Sequence, residues 1–282
     1  MQKIKENSMR FVFLLCALIS VAAVILICLF LFANGLPAMA KIGVLKFLTG
    51  MKWSPTKGFF GIFPMIVGSV YVTAGAVILG VPTGLFCAVF MAKFCPLKLY
   101  RFLKPAVNLL AGIPSIVYGF FGLTVIVPIM QKFFGGSGKS VLTASIVLAI
   151  MILPTIINVC ESAIRSVPEN YYEGALALGA THERSVFKAT LPAAKSGIAA
   201  GVILGIGRAI GEAMAVKIVA GNQPVIPRSI FSGVRTLTSN IVLEMGYASQ
   251  LHREALIATA VVLFVFILII NLLFSLLKRK EK

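Results

Sequence analysis

No aspartate occurs among these 282 residues, and nine glutamates are the only acidic side chains against 26 lysines and arginines. That shortage removes the paired carboxylates on which much acid–base catalysis depends. The only two histidines, His182 and His252, fall on opposite sides of the membrane in the topology expected below, which argues against a shared metal site. Cys16, Cys28, Cys87, Cys95 and Cys160 show no C-x-x-C spacing, so they read as small packing residues or inert thiols. Neither H-E-x-x-H nor G-x-S-x-G is present, which leaves no catalytic constellation. Gly136-Ser-Gly-Lys-Ser140 ends like a P-loop, but Phe133 stands where the motif requires its first glycine and no strand precedes it. Charge of either sign is scarce, at 12% of residues, which excludes an ordinary soluble domain.

What fills the chain instead is apolar: 59% hydrophobic residues and a mean hydropathy of +0.99. The charges cluster and leave long apolar runs, each able to cross a hydrocarbon core of about 30 Å as a helix. Backbone polar groups in lipid must pair within the segment, so these runs are expected as helices. Six spans are expected, at 11–33, 61–92, 105–130, 141–160, 196–219 and 254–277. The fold class is therefore all-α, a polytopic membrane protein. Residues 1–60 read as an N-terminal anchor helix with a first outer loop, and 61–282 as the core. The first apolar run is too long for a signal peptide and lacks a clean cleavage site.

The net charge of +17 is spread over short loops without a basic domain or interleaved aromatics, which argues against nucleic acid. Topology signals, contact with membrane lipid headgroups and attraction of an anionic solute account for it better. With both termini in the cytoplasm, fifteen basic residues lie inside, among them Lys3, Lys5, Lys278, Arg279, Lys280 and Lys282, and nine lie outside. Pro82, Pro114, Pro128 and Pro154 interrupt the spans, and each removes a helix hydrogen bond. Four such interruptions favour a bundle that lines a pathway or moves.

Between the fourth and fifth spans, residues 161–195 form a polar connection longer than a plain turn requires. Pro168 and Glu169 suit the first turn of a short helix, and Gly179 can end it with a positive φ. Thr181 and His182 then lead into a second helical stretch. Ala175, Leu176, Ala177 and Leu178 leave a compact apolar surface suited to a groove on a partner. Glu173, Ala175, Gly179, Leu191 and Pro192 fall in register with the pattern E-A-A, three residues, G, nine residues, I-x-L-P. Gly174 replaces the middle alanine and Ala189 the isoleucine. In this the chain resembles the EAA-loop permeases of ABC importers. The resemblance implies a type I importer permease (MetI-like) fold and a docking site for a cytoplasmic ATPase, with Glu173 as the polar contact and Gly179 as the turn.

The fifth span carries Arg208 and Glu212 within an apolar segment. Arg208 lies about 18 Å along the span, near mid-membrane, where a charge must face protein or a hydrated path. A continuous helix would place Arg208 and Glu212 on one face, either as an internal ion pair or as an oxyanion site with the guanidinium as the donor fork. Gly197, Gly201 and Gly205 recur on the same helix as a packing ridge. Ser115 and Tyr118, beside Pro114, are further candidates for the pathway. The stretches GRAIGEAMAVKIVAGN, LAGIPSIVYGFFGL (110–123) and GVRTLTSNIVLEMGYAS (233–249) resemble PstC-type permeases of phosphate importers. That resemblance implies a bacterial plasma-membrane subunit lining half of a phosphate path. It further implies a PstA-type sister permease, two ATPase subunits holding ATP and Mg²⁺, and an extracytoplasmic phosphate-binding protein. This chain itself would bind no cofactor and hydrolyse nothing. Sulfate or molybdate as cargo, or an ion-coupled carrier using Arg208 and Glu212, are the alternatives.

Overall fold

A computed structural model describes residues 2–280, with side chains from Met9 to Leu273. Lys282 lies outside the described residues, and the side chains of Lys3, Lys5, Lys278, Arg279 and Lys280 lie outside the described side chains. Along the chain run α1 (Gln2–Ile42), α2 (Val44–Thr49) and a two-stranded antiparallel hairpin, β1 (Trp53–Ser54) with β2 (Phe59–Phe60). Next come α3 (Phe63–Val89), α4 (Leu97–Gly112), α5 (Ser115–Phe121), α6 (Val127–Phe134) and α7 (Val141–Arg165). The polar connection holds α8 (Glu169–Ala177), α9 (His182–Ser185) and α10 (Leu191–Ala193). The chain continues through α11 (Lys195–Gly211), α12 (Met214–Val219), α13 (Leu237–Glu244) and α14 (Gln250–Lys280). Among the described residues, five helices are long and apolar enough to cross a membrane, and the bent pair His182–Ala193 with Lys195–Gly211 makes six.

Helix α7 is the centre of the bundle, and lipid supplies no hydrophobic drive for helices to pack on it. Contact must come from close approach, and glycine allows that on two sides. On α3, a Cβ at Gly80 would lie 2.9 Å from Ile152 and one at Gly84 2.9 Å from Ile156. On α11, a Cβ at Gly201 would lie 2.8 Å from Cys160 Sγ and one at Gly205 2.7 Å from Ile156. Ile156, fully buried, is thus gripped from both sides. The expected ridge on α11 is present, and a second on α3 faces it across α7. Helices α1 and α14 pair at the periphery. Most of α1 exposes apolar side chains, while Ala38 and Met39 at its far end join Phe47, Trp53, Ile62, Met65 and Leu256 in a separate core.

Three expected boundaries are corrected. The span drawn at 105–130 is two helices, because Pro114 bars α-conformation at the preceding residue and Ile113 is extended, with ψ 127°. The membrane-length stretch is Ser115–Phe134. The span drawn at 196–219 also breaks, since α11 stops at Gly211 and Glu212 is extended, with ψ 126°. Third, α7 runs to Arg165, so Glu161 belongs to a membrane helix rather than to the loop.

Pro82, Pro128 and Pro154, the other prolines expected to interrupt spans, do not break their helices. Pro82 and Pro154 are carried inside α3 and α7. Pro128 follows a π-helical turn, Gly122–Ile126, and Pro192 follows another, Val186–Thr190. In each case the residue before the proline donates five residues back, Val127 to Gly122 and Leu191 to Val186. The wide bond absorbs the ladder position that proline leaves without a donor.

Gly84→Val and Gly205→Val are each expected to lower stability by about 1–3 kcal/mol through overpacking against Ile156. Gly112→Ala, where a Cβ meets nothing within 4 Å, should stay close to wild type. Thermal aggregation midpoints of the detergent-purified protein check the contrast.

Candidate functional site

The polar connection folds as its residues direct. Pro168 caps α8 with Glu169 in the first turn, where a carboxylate complements the helix dipole. Gly179, at φ +82°, ends the helix, and Ala180 N–H returns to the Ala175 carbonyl at 3.1 Å. The Thr181 hydroxyl then accepts from Arg184 N–H and starts α9. No side chain of α8 is buried. Leu178 is 91% exposed, and Glu173, Tyr171 and Leu176 are exposed beside it. A concavity of about 350 Å³ opens next to this face, lined by Ala175, Leu178, Gly179, Ala180, Arg184 and Lys188. Gly174 stands in open space where an alanine would also fit. Leu191 is half-buried and Pro192 exposed at the turn where the chain bends by 72° into α11. An apolar projection beside a basic hollow can receive a partner's surface. Glu183, exposed on α9, has its carboxyl lowered from the usual range by hydrogen bonds from its own backbone N–H and from Thr181.

Arg208 and Glu212 do not pair, because the break at Gly211 takes Glu212 off the helix face they would share. Arg208 Nη1 instead donates to Thr155 Oγ1 on α7 at 3.0 Å. The Glu212 carboxylate accepts from Met214 and Ala215 N–H at 3.0 and 3.1 Å, satisfying the first turn of α12. Thr238 Oγ1 donates to the Glu212 carbonyl at 2.8 Å, so the broken backbone has partners from protein. Helix α5 lies against α12, where a Cβ at Gly119 would be 3.0 Å from Ala215 Cα. That contact brings Ser115 and Tyr118 to the region of the break. Tyr118 is buried and its hydroxyl donates to the Leu110 carbonyl across the α4–α5 gap at 2.7 Å. Ser115 stands at the first position of α5, half-exposed.

Two buried carboxylate hubs escaped the sequence. Glu161, 1% exposed, accepts from Tyr100 Oη at 2.7 Å, Lys104 Nζ at 2.6 Å and Arg165 Nε at 2.8 Å. Lys104 Nζ also donates to Asn158 at 2.8 Å. At the other end of the bundle, Glu244 accepts from Arg235 at 2.6 Å and Trp53 Nε1 at 2.8 Å, with His252 Nε2 at 2.8 Å. The i,i+4 spacing of Glu161 and Arg165 was the one visible signal. The partners from α4 and from the β-hairpin arrive only through folding. Among the described residues, no three His, Cys, Asp or Glu side chains are placed to hold a metal ion.

A membrane bundle with glycine-packed helices, a broken fifth span and an exposed polar connector fits a transport permease of the ABC-importer class, and the family match shows that class. Residues 80–282 match the family described as "Binding-protein-dependent transport system inner membrane component", and the chain belongs to that family. It is 40% identical over 285 residues to a probable ABC transporter permease protein, YqgH, of Bacillus subtilis, covering 97% of this chain and 92% of the relative. It is 36% identical to the phosphate transport system permease protein PstC of Mesorhizobium japonicum, over 85% of this chain and 80% of that one. The probable PstC of Methanocaldococcus jannaschii is 31% identical, with 88% and 86% covered. The PstC-type resemblance of the sequence motifs is borne out by these relatives. The fold matches a bacterial ABC transporter for alginate with a TM-score of 0.64, at 15% identity and 95% of each chain. It matches the methionine ABC transporter MetNI, in an inward-facing form, with a TM-score of 0.59 at 19% identity, over 79% of this chain and 94% of that one.

Glu212→Ala is expected to cost about 1 kcal/mol by removing the acceptor for two backbone N–H groups, while Glu212→Gln keeps a carbonyl oxygen there. Thermal stability should therefore rank wild type, Gln, Ala. Equal loss for Gln and Ala would show that the charge, not the cap, holds the break.

Proposed function

We propose that this chain is the membrane-spanning permease subunit lining half of the translocation path of an ATP-driven phosphate importer. The supporting observation is Arg208, a cation in an apolar helix whose side-chain partner is the neutral Thr155 hydroxyl rather than a carboxylate. A guanidinium has five donors in a fixed fork, and one bond to Thr155 leaves the others for the oxygens of a tetrahedral anion. The phosphate-transport permeases among its relatives support the same cargo. Glu212 acts by holding the break beside Arg208 open and hydrogen-bonded. Ser115 and Tyr118 line the neighbouring break, with Tyr118 fixing its two halves.

In this proposal the chain pairs with a PstA-type sister permease and receives phosphate from an extracytoplasmic binding protein. Of the two ABC ATPase subunits in the cytoplasm, one docks on Glu173, Gly174, Ala175 and Leu178 of this chain, with Gly179 shaping the turn and Leu191 and Pro192 the return into α11, and the other docks on the sister permease. The partners hold ATP and Mg²⁺, and this chain binds no cofactor and has no hydrolytic site of its own. Both termini lie in the cytoplasm of a bacterial plasma membrane. Closure of the ATPases presses on α8 to α10 and tilts the membrane helices, exposing Arg208 first to one side and then to the other.

Cells lacking this chain, complemented with variants and checked for membrane expression, test the proposal by uptake of radiolabelled phosphate. Loss of a charge-assisted contact worth about 1.5–3 kcal/mol should lower uptake about 10- to 100-fold in Arg208→Gln. Arg208→Lys should recover part of it, having the charge without the fork. Leu178→Asp is expected to abolish uptake together with co-purification of the ATPase subunits. Full uptake by Arg208→Gln in an assembled complex would sink the pathway role, and abolition of wild-type uptake by excess sulfate would sink the choice of anion.

A further inference from the structure

Helix α3 does not end plainly at its polar-loop side. Its continuation, Phe90–Phe94, is a π-helical turn, and a second π-helical turn, Val186–Thr190, follows α9. The two meet through Phe94 and Phe187, whose ring centroids are 6.4 Å apart. Phe94 also meets the His182 imidazole at 4.7 Å, edge to face at 71°. The Nδ1 of that imidazole is 2.7 Å from Tyr172 Oη on α8. Lys93, one residue before Phe94, sits 5.2 Å from the Tyr172 ring centroid and 3.4 Å from the Glu169 carboxylate. From the other direction, Arg165 Nη2 donates to the Met91 carbonyl at 2.8 Å. The end of α3 is therefore held by the last turn of α7, by α8 and by the segment after α9 at once.

Helix α8 buries none of its side chains, so its hold on the membrane bundle runs through the half-buried Tyr172 and the Glu169 pair. Tyr172 packs against the core cluster that contains Val89 and Ile164 and is in hydrogen-bond contact with His182, whose ring meets the Phe94 ring. Phe94 belongs to a π-helical turn, a geometry that is rare and recurs at functional sites, where a shift of register alters the helix beyond. Farther along α3, Gly84 approaches Ile156 on α7, and Gly205 of α11 approaches Ile156 from the opposite side. Arg208 lies one turn beyond Gly205 on α11. The contacts form an unbroken series from the exposed loop to the mid-membrane cation.

We propose that Phe94, Tyr172 and His182 form the latch through which movement of α8 is delivered to α3, with Phe94 as a positioning residue that sets how much cargo moves per ATP hydrolysed. The inference rests on the importer function proposed above and adds to it a named route of force. Phe94 touches neither cargo nor nucleotide in this account. Its ring gives the π-helical turn a rigid face against which His182 can push. A cluster that served only to stabilise the loop would, when weakened, lower assembly, hydrolysis and uptake together. A latch, when loosened, lets hydrolysis run while transport lags.

The test uses the whole complex, permease pair, ATPases and binding protein, reconstituted in liposomes, with ATP hydrolysis and phosphate uptake measured side by side. Phe94→Ala is expected to retain its ATPase subunits and hydrolyse ATP at a rate within about twofold of wild type, while phosphate moved per ATP falls about fivefold or more. Phe94→Tyr, which keeps the ring, should restore the ratio. Tyr172→Phe should lower it on its own and add little to Phe94→Ala, since both cut one link. An unchanged ratio in Phe94→Ala overturns the latch, as does a parallel fall of hydrolysis and uptake. If loss of the ring blocks assembly, Tyr172→Phe decides, because it deletes one hydroxyl and an unchanged ratio there overturns the proposal equally. A wild-type complex that retains no ATPase subunits, or moves no phosphate with ATP, overturns the importer function and the latch with it. Normal wild-type transport with full coupling in the variants overturns the latch alone.

Discussion

Everything in this bundle depends on how closely two helices can approach α7. Lipid chains are as apolar as leucine, so burying leucine gains little in a membrane, and association rests on van der Waals contact over short distances. Gly80 and Gly84 on one side, and Gly201 and Gly205 on the other, remove the side chains that would keep the backbones apart. The result is a three-helix sandwich in which Ile156 is clamped between α3 and α11. A tightly packed contact of this kind passes displacement on rather than absorbing it. The helix carrying Arg208 and the helix ending in the loop contacts are thereby made mechanical neighbours, although more than a hundred residues separate them in sequence.

The breaks in the bundle are as ordered as its helices. Helix ends at membrane depth leave backbone groups that lipid cannot satisfy. At the fifth span, the Glu212 carboxylate takes the first N–H groups of α12 while Thr238 serves the Glu212 carbonyl. Between α4 and α5 the Tyr118 hydroxyl reaches back to the Leu110 carbonyl. Each gap exposes irregular backbone next to a buried polar side chain. Helix α5, which starts at one gap, packs on α12, which starts at the other.

Charge follows a matching logic. Glu161 and Glu244, at opposite ends of the bundle, each gather several donors and neutralise the cations around them. Taking a carboxylate out of water is costly unless its oxygens are well paired, and both are. Arg208 is treated differently. It lies between the hubs with a neutral hydroxyl as partner, so its field is not cancelled by an adjacent anion. Among the described residues, that contrast between carboxylate-paired cations and a cation bonded to a hydroxyl is the observation on which the proposed anion path rests.

Local sequence determined much of this protein. Apolar run length specified membrane helices because the hydrocarbon thickness fixes how many residues a span requires. Pro168, Gly179 and Thr181 specified the start, end and restart of the connector, because caps and positive φ are properties of single residues and their near neighbours. Arg208 announced itself by cost alone, as a cation in an apolar run. Tertiary structure decided the rest. The Arg208–Glu212 spacing implied one helix face, but the chain breaks at Gly211, where Thr238 from α13 satisfies the freed carbonyl, a partner that no local pattern names. The span assumed continuous across Pro114 became two helices, while Pro128 and Pro192 were absorbed by wide π-helical bonds. The glycine ridge on α3 gained meaning only when α7 and α11 came to face it. Likewise the donors on Glu161 and the contact of Phe94 with His182 join residues far apart in the chain, and such contacts depend on packing that periodicity and spacing do not encode.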